Sequence, residues 1–245
     1  MQFFYVLVNG VTFKIASKLV KQSYKYHKTI NRRYNKWVKD KIFSNIHDLI
    51  LNQYKSMFKP EHLTIDSTDI VNGNCPKKII SRSFKLHKQA LRLTVITDEH
   101  NVPLNRSIDK PIDHDSQLGI NLLVKTNVGN EKQIYVPADK GYIVDKNTQY
   151  ALLQSKGFRL VTPKKKYKKK IYKTPNYKPK RQCIRHSKQM KNILKKRIYI
   201  EHFNSVYHRS YKRLNKLYDR SLATINGFID LAFTVIIIKA ISDRS

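Results

Sequence analysis

Residues 63–69 read Leu63-Thr64-Ile65-Asp66-Ser67-Thr68-Asp69, and the first four alternate apolar and polar side chains. That period of two belongs to a half-buried strand, and the polar run Ser67-Thr68-Asp69 reads as its stop. The stretch decides the fold because everything before His62 carries a helical period, whereas strands recur after it. Leu91-Arg92-Leu93-Thr94-Val95-Ile96-Thr97 alternates again, and the turn Asp98-Glu99-His100-Asn101 leads into a third run from Val102 to Ile108. These two runs predict a hairpin beside the first strand.

Further along, His114-Asp115-Ser116 opens a helix to about Val124, with Asp115 or Ser116 as its N-cap. Gln133-Ile134-Tyr135-Val136-Pro137-Ala138 predicts a fourth strand ending at Asp139-Lys140-Gly141-Tyr142. Asp145 is placed to cap a helix to about Lys156, and Phe158-Arg159-Leu160-Val161-Thr162-Pro163 predicts a fifth strand. The order βββαβαβ, followed by a basic loop and two long helices, makes this an α/β chain. Asp69 and Asp145 read as loop and cap residues.

Working back from residue 63, residues 1–60 read as all-helical. Phe3 to Val8 stops at Asn9-Gly10, a second helix runs from Thr12 to Val20, and a third stretch spans Tyr24 to Ile50. This last stretch places Arg32, Arg33, Lys36, Lys39 and Lys41 around Trp37, Val38, Ile42 and Phe43. It suits a helix-turn-helix module binding DNA, and it equally suits a packing or dimerisation domain. The expected division is a helical domain over residues 1–60 and an α/β domain over 61–245, with a basic loop at 164–185.

The 245 residues include 49 Lys and Arg against 17 Asp and Glu, a formal net charge of +32. Such a chain attracts polyanions, nucleic acid first and an anionic membrane second. Its two cysteines, Cys75 and Cys183, make no disulfide framework and lack metal-ligand spacing, which suits a reducing compartment. The run Phe3 to Val11 lacks a preceding basic region and a small-residue cleavage site, so it reads as a core helix rather than a signal peptide. The apolar run Phe228 to Ile238 is broken by Asp230 and is shorter than the roughly 20 residues a membrane span needs. The expectation is a soluble intracellular protein with no membrane partner, found wherever its DNA is, in a bacterial cytoplasm or in a cell hosting a DNA virus.

The acids are unevenly placed. Eleven of the 17 fall between Glu61 and Asp145, and none occurs from Lys146 to Ile200, 55 residues. Glu201 ends that interval inside a helical run whose apolar positions Ile200, Phe203, Tyr207, Tyr211, Leu214 and Leu217 step by three or four, so it sits at the edge of a buried face. Arg197, one turn earlier, offers an ion pair. A lone acid in so basic a segment reads as a partner for something positive, either Arg197 or a metal ion.

The interval itself carries Lys164-Lys165-Lys166-Tyr167-Lys168-Lys169-Lys170-Ile171-Tyr172-Lys173. As a free segment it reads as a disordered loop. Bound to nucleic acid, its lysines would grip phosphates and Tyr167, Tyr172 and Tyr177 would stack on unpaired bases. Arg209, Lys212, Arg213 and Lys216 extend the basic character along the glutamate helix.

Three strands, then helix, strand, helix, strand and a C-terminal helix is the element order of the ribonuclease-H-like fold. In such a sheet the first strand is central and the fourth lies beside it. Asp66 and Asp139 would then be neighbours, and a helix packed on the sheet could deliver Glu201 to the same point, across sequence separations of 73 and 62 residues.

At these residues the chain resembles the transposases of bacterial insertion sequences that carry an Asp-Asp-Glu triad. Ile65-Asp66-Ser67-Thr68 is similar to the first-Asp motif of that family, and His114-Asp115-Ser116 to the His-Asp after the hairpin. Ala138-Asp139-Lys140-Gly141-Tyr142 is similar to the second-Asp motif, and Arg197-x-x-x-Glu201-x-x-Phe203 with Arg209 and Arg213 to the glutamate helix. The resemblance covers roughly residues 62–240. More loosely, Phe4-Tyr5-Val6-Leu7-x-x-Gly10-Val11 and Arg33-x-x-x-Trp37 resemble the family's helical DNA-binding region, starting abruptly as though a first helix were missing. One branch of the family has Tyr seven residues before the Glu and Lys seven after; Leu194 and His208 stand there in this chain.

The resemblance implies Asp66, Asp139 and Glu201 as catalytic, metal-holding carboxylates, with Arg197 and His114 in support. It implies two Mg²⁺ ions, with Mn²⁺ as an alternative, since hard divalent cations take oxygen ligands and two of them can stabilise both oxygens of an in-line displacement. The partner would be DNA, both element ends with terminal inverted repeats and target, and a homodimer is left open. Competing readings stay open too: a decayed or domesticated relic that binds DNA without cutting, a metal nuclease that hydrolyses without joining, and a purely electrostatic RNA or membrane binder.

Overall fold

The computed structural model describes residues 2–19, 26–128, 133–143, 147–163 and 187–244. The expected basic loop with Lys164–Lys170, Tyr167 and Tyr172, and the helix cap at Asp145, lie outside the described residues.

The chain starts with four helices, α1 (Gln2–Asn9), α2 (Phe13–Leu19), α3 (Tyr26–Lys39) and α4 (Ile42–Met57). The single expected stretch from Tyr24 to Ile50 is thus two helices. They part at Asp40-Lys41, where Lys41 takes a left-handed φ of 56° that an α-helix does not tolerate. Within α4, Phe43, His47, Leu51 and Tyr54 are buried at helical spacing. On α3, Ile30 and Tyr34 turn inward while Arg32, Arg33 and Lys36 stay exposed.

Next come β1 (Leu63–Val71), β2 (Ser81–Arg82), β3 (Gln89–Asp98) and β4 (Pro103–Asp109). β3 pairs antiparallel with β1 along its whole length, from Leu63 opposite Asp98 to Val71 opposite Ala90, and also pairs antiparallel with β4 and the short β2. β1 does not stop at Ser67. Its polar half is satisfied from neighbouring elements: Ser67 Oγ meets Thr94 Oγ1 at 2.9 Å, and Asp69 accepts from Ser83 and Arg92.

Helix α5 (Asp115–Lys125) leads to β5 (Ile134–Pro137), a 3-10 turn (Lys140–Tyr142), α6 (Asn147–Ser155) and β6 (Phe158–Val161). β5 and β6 pair parallel, and a single parallel bridge, His62 to Tyr135, joins them to the β1 side. By backbone bonding, the five-stranded sheet expected from the sequence is therefore a four-stranded and a two-stranded sheet, with β2 as an additional strand among the described residues. β5 is only four residues long and ends in Pro137, which has no N–H to extend a ladder.

The last part holds α7 (Lys188–Lys195), α8 (Ile198–Ser210), a 3-10 turn (Lys212–Leu214) and α9 (Leu222–Ser242). Ile200, Phe203, Tyr207, Tyr211, Leu214 and Leu217 are all buried, as their spacing requires, although α8 itself stops at Ser210. Backbone continues the packing beyond it, since Leu217 N donates to the Val71 carbonyl at 2.9 Å.

Alternation in β1 sorts the molecule into two cores. Ile70, with Leu91, Leu93 and Val95 of β3, packs with α8, α9 and the N-terminal helices, while Leu63, Ile65 and Ile96 pack with α4, α5, β5 and β6. The N-terminal helices share the first core. Tyr34 stacks on Phe228 at 4.4 Å between centroids and its hydroxyl donates to the Thr224 carbonyl at 2.9 Å. Phe3 meets Phe13, Tyr34, Trp37 and Phe43 edge-on, contacts each worth about 0.5–1.5 kcal/mol beyond burial.

α9 has 21 residues, close to the helix from Leu222 to Ile241 expected from the sequence, and is long and apolar enough to cross a membrane by length and composition. In this fold it is a core helix. Asp230 and Asn226 take the guanidinium of Arg106 on β4, and Gly227 lets α9 approach α3, where a Cβ would lie 2.8 Å from Val38 Cγ2.

Candidate active site

The same alternation aims Asp66 and Thr68 at α8, and Ser67 and Asp69 at α5 and the turn after β5. On α8, Asn204 and His208 are one turn apart on the face that covers β1. Asn204 Nδ2 donates to Asp66 Oδ2 at 3.0 Å, and His208 Nε2 lies 3.3 Å from Thr68 Oγ1. Two polar contacts at matching spacing therefore set the height of α8 on the strand.

That height brings Glu201, in the first turn of α8, to the site. Arg197 stands between carboxylates from two elements: its guanidinium is 3.6 Å from Asp139 Oδ1, at the end of β5, and 3.7 Å from Glu201 Oε1. Arg197 is three-quarters buried, whereas Asp139 and Glu201 are 56% and 61% exposed. Asp66 lies deeper. Burial pushes its carboxyl above the ordinary carboxylate range; the Ser67 backbone N–H and Arg197 counter this, and the nearby charge of Asp139 adds to it. Asp139 and Glu201 thus meet at one arginine, whose charge also reaches Asp66 on β1.

Among the described residues, no three His, Cys, Asp or Glu side chains stand close enough to enclose a metal ion in this arrangement. The donor chemistry nonetheless fits a hard divalent cation: the groups offer only carboxylate oxygens, they repel one another, and a guanidinium already lies between two of them.

Further along β1, Arg92 donates to Asp69 Oδ1 at 2.9 Å and to Asp115 Oδ1 at 2.8 Å. Asp69, expected in a loop, is a strand residue with a side chain only 5% exposed, held by that arginine and by Ser83 Oγ at 2.6 Å. His114, not Asp115 or Ser116, occupies the N-cap of α5; its side chain makes no capping bond and is exposed. Sequence reasoning missed Asn204, Tyr142, Ser67 and Arg92. Spacing could have found the first two, since each lies three residues after a singled-out acid.

Of the expected DNA contacts, Arg32, Arg33, Lys36, Arg209 and Lys212 are exposed. Arg213 is a correction. It is 5% exposed, donates to both Asp219 oxygens at 3.1 and 3.0 Å, and lies over the Tyr218 and Phe228 rings. A guanidinium spent on a buried carboxylate and two aromatic faces is part of the core, not of a phosphate-binding surface.

Neither the curated proteins nor the solved structures contain a match to this chain. The family model of the transposase DDE domain matches residues 57–237, an interval that starts at the end of α4, reaches into α9 and contains Asp66, Asp139 and Glu201. With some three-quarters of its length matched, the chain belongs to the transposase DDE domain family.

Proposed function

We propose that this protein is a DNA transposase that cuts phosphodiester bonds at the ends of a mobile element and joins them to target DNA, with Asp66, Asp139 and Glu201 as its catalytic carboxylates. The observation carrying this reading is the convergence of the three acids about Arg197 from segments 73 and 62 residues apart. Support for a ribonuclease-H-like architecture comes from the strand neighbours: β4 beside β3, β3 beside β1, and β1 bridged in parallel to β5, which pairs with β6.

Asp66 and Asp139 would hold a divalent cation, Mg²⁺ or Mn²⁺, with Glu201 completing a second site. Such an ion supplies Lewis-acid stabilisation of the oxygens that enter and leave phosphorus. The chain's own residues do the rest. Asn204 orients the Asp66 carboxylate, Arg197 balances Asp139 and Glu201, and the buried side of β1 keeps Asp66 away from bulk water. Arg209 at the end of α8, Lys212 in the turn after it, and Arg32, Arg33 and Lys36 on α3, are the described cations we assign to DNA phosphates. Such contacts give affinity and salt dependence rather than sequence choice. The helical segment 1–60 is read as the DNA-binding part and 61–245 as the catalytic part.

The test is a cleavage and joining assay on the DNA bracketing the gene, read for inverted repeats, with Mg²⁺ or Mn²⁺. Asp66→Asn, Asp139→Asn and Glu201→Gln should each abolish cleavage while the protein still shifts the DNA on a gel. Full activity in any one removes that residue from the triad. Cleavage without joined product assigns a nuclease, and metal-independent binding without cleavage assigns a relic.

A further inference from the structure

We infer that the hydroxyl pair Ser67–Tyr142, seated over Gly119, is the device that holds Asp139 beside Asp66, which makes Ser67 and Tyr142 positioning residues of the metal-holding pair. This rests on reading Asp66 and Asp139 as metal ligands.

Asp139 is exposed, and its side chain approaches Arg197 at 3.6 Å. Its place therefore depends on its backbone. Ala138 N donates to the Val161 carbonyl at 2.9 Å, and Tyr142 N donates to the carbonyl of Asp139 itself at 3.1 Å. Tyr142 in turn is buried, and its hydroxyl shares a 2.5 Å hydrogen bond with Ser67 Oγ. Ser67 is the residue after Asp66, and its hydroxyl also meets Thr94 across the β1–β3 ladder at 2.9 Å. A short path thus connects the two carboxylates: Asp139 carbonyl, Tyr142 N–H, phenol, Ser67 hydroxyl and the β1 backbone at Asp66.

Two further features seat this path. A Cβ on Gly119 of α5 would lie 2.6 Å from Tyr142 Cδ1 and Cε1, so the ring occupies the space that glycine leaves. A Cβ on Gly141 would lie 3.1 Å from Asp115 Oδ2, a carboxylate that Arg92 ties to Asp69 on β1. Burial raises the Tyr142 phenol above its ordinary pKa, keeping it a neutral hydroxyl partner. Neither hydroxyl bonds to the Asp66 or Asp139 carboxylate, so both act through placement.

The test titrates the full-length protein with Mn²⁺ alone, without DNA, following free Mn²⁺ by electron paramagnetic resonance, alongside thermal melts. Asp139→Ala is the benchmark. Tyr142→Phe keeps the ring over Gly119 and removes only the hydroxyl; Ser67→Ala removes the other partner. Each should stay folded at the assay temperature and weaken Mn²⁺ binding by about 10-fold or more, the usual effect of losing a group that orients a metal ligand. The double variant should lose no more than Ser67→Ala alone, because Tyr142→Phe breaks a bond that Ser67→Ala already removes, and Ser67→Thr should restore binding. A merely structural pair would lower the melting temperature and leave the Mn²⁺ affinity of the folded protein unchanged. Wild-type affinity in Tyr142→Phe and Ser67→Ala, with the benchmark impaired, overturns the inference alone. Wild-type affinity in Asp139→Ala overturns the metal reading and this inference with it.

Discussion

Replacing Arg197 by Gln should strengthen divalent-cation binding, opposite to the effect expected of a residue that helps hold a metal. The guanidinium stands 3.6 Å from Asp139 and 3.7 Å from Glu201 and also acts on Asp66. A cation entering the site must therefore compete with a positive charge already there. Both carboxylates are more than half exposed, so solvent screening limits each pair to about 0.2–1 kcal/mol. Two such pairs together come to about 1–2 kcal/mol at most, which corresponds to a gain of up to ~30-fold in Mn²⁺ affinity. The assay is the same Mn²⁺ titration without DNA, at low salt, where screening is least. The gain should shrink as salt is added. Unchanged or weaker binding by Arg197→Gln would refute the idea that this arginine stands in for a cation.

Arg213→Ala should lower unfolding free energy by about 3–5 kcal/mol, because it leaves Asp219 buried without its counter-ion, whereas Arg209→Ala on the exposed face should be nearly neutral; equal denaturant midpoints for the two would overturn the core assignment of Arg213. Gly227→Ala drives a Cβ to 2.8 Å from Val38 and 2.9 Å from the Tyr34 hydroxyl, so about 1–3 kcal/mol of overpacking cost is expected, and an unchanged melting temperature would show that α9 can shift freely. Asp66 titrates above the ordinary carboxylate range in the folded protein, so the native state binds that proton more tightly than the unfolded chain does. The associated stability is complete below the unfolded pKa of about 4 and is lost as pH rises through the raised value. Asp66→Asn should accordingly melt above wild type at neutral pH, by a margin that closes on acidification; a margin independent of pH would refute this.

Where the sequence was legible, the reason was local. The alternation Leu63-Thr64-Ile65-Asp66 marked a strand because one face of β1 meets a core, and the spacing from Ile200 to Leu217 marked a buried face because helical period and burial coincide there. The misreadings were of polar residues whose partners are distant in sequence. Ser67-Thr68-Asp69 looked like a strand stop, but Thr94, His208 and Arg92 satisfy those side chains from β3 and α8, and the strand continues to Val71. Arg213 is the exception: its partner Asp219 is only six residues on, but a run of basic residues made it look like a surface cation. Asp230 looked like an interruption of an apolar run, yet Arg106, 124 residues earlier, takes its charge inside the fold.

By itself the sequence determined that the chain is basic, that helices precede and alternate with strands, and that Asp66, Asp139 and Glu201 stand at strand ends or helix edges where acids invite attention. Periodicity, charge and turn chemistry are properties of neighbouring residues, so a single chain displays them. Only the tertiary structure decided that the three acids meet about Arg197, that Asn204 and His208 set α8 against β1, and that Tyr142 reaches Ser67 over Gly119. Those contacts join residues up to 140 positions apart. They depend on which strand lies beside which and on how high a helix sits on the sheet, quantities that no local window of sequence contains.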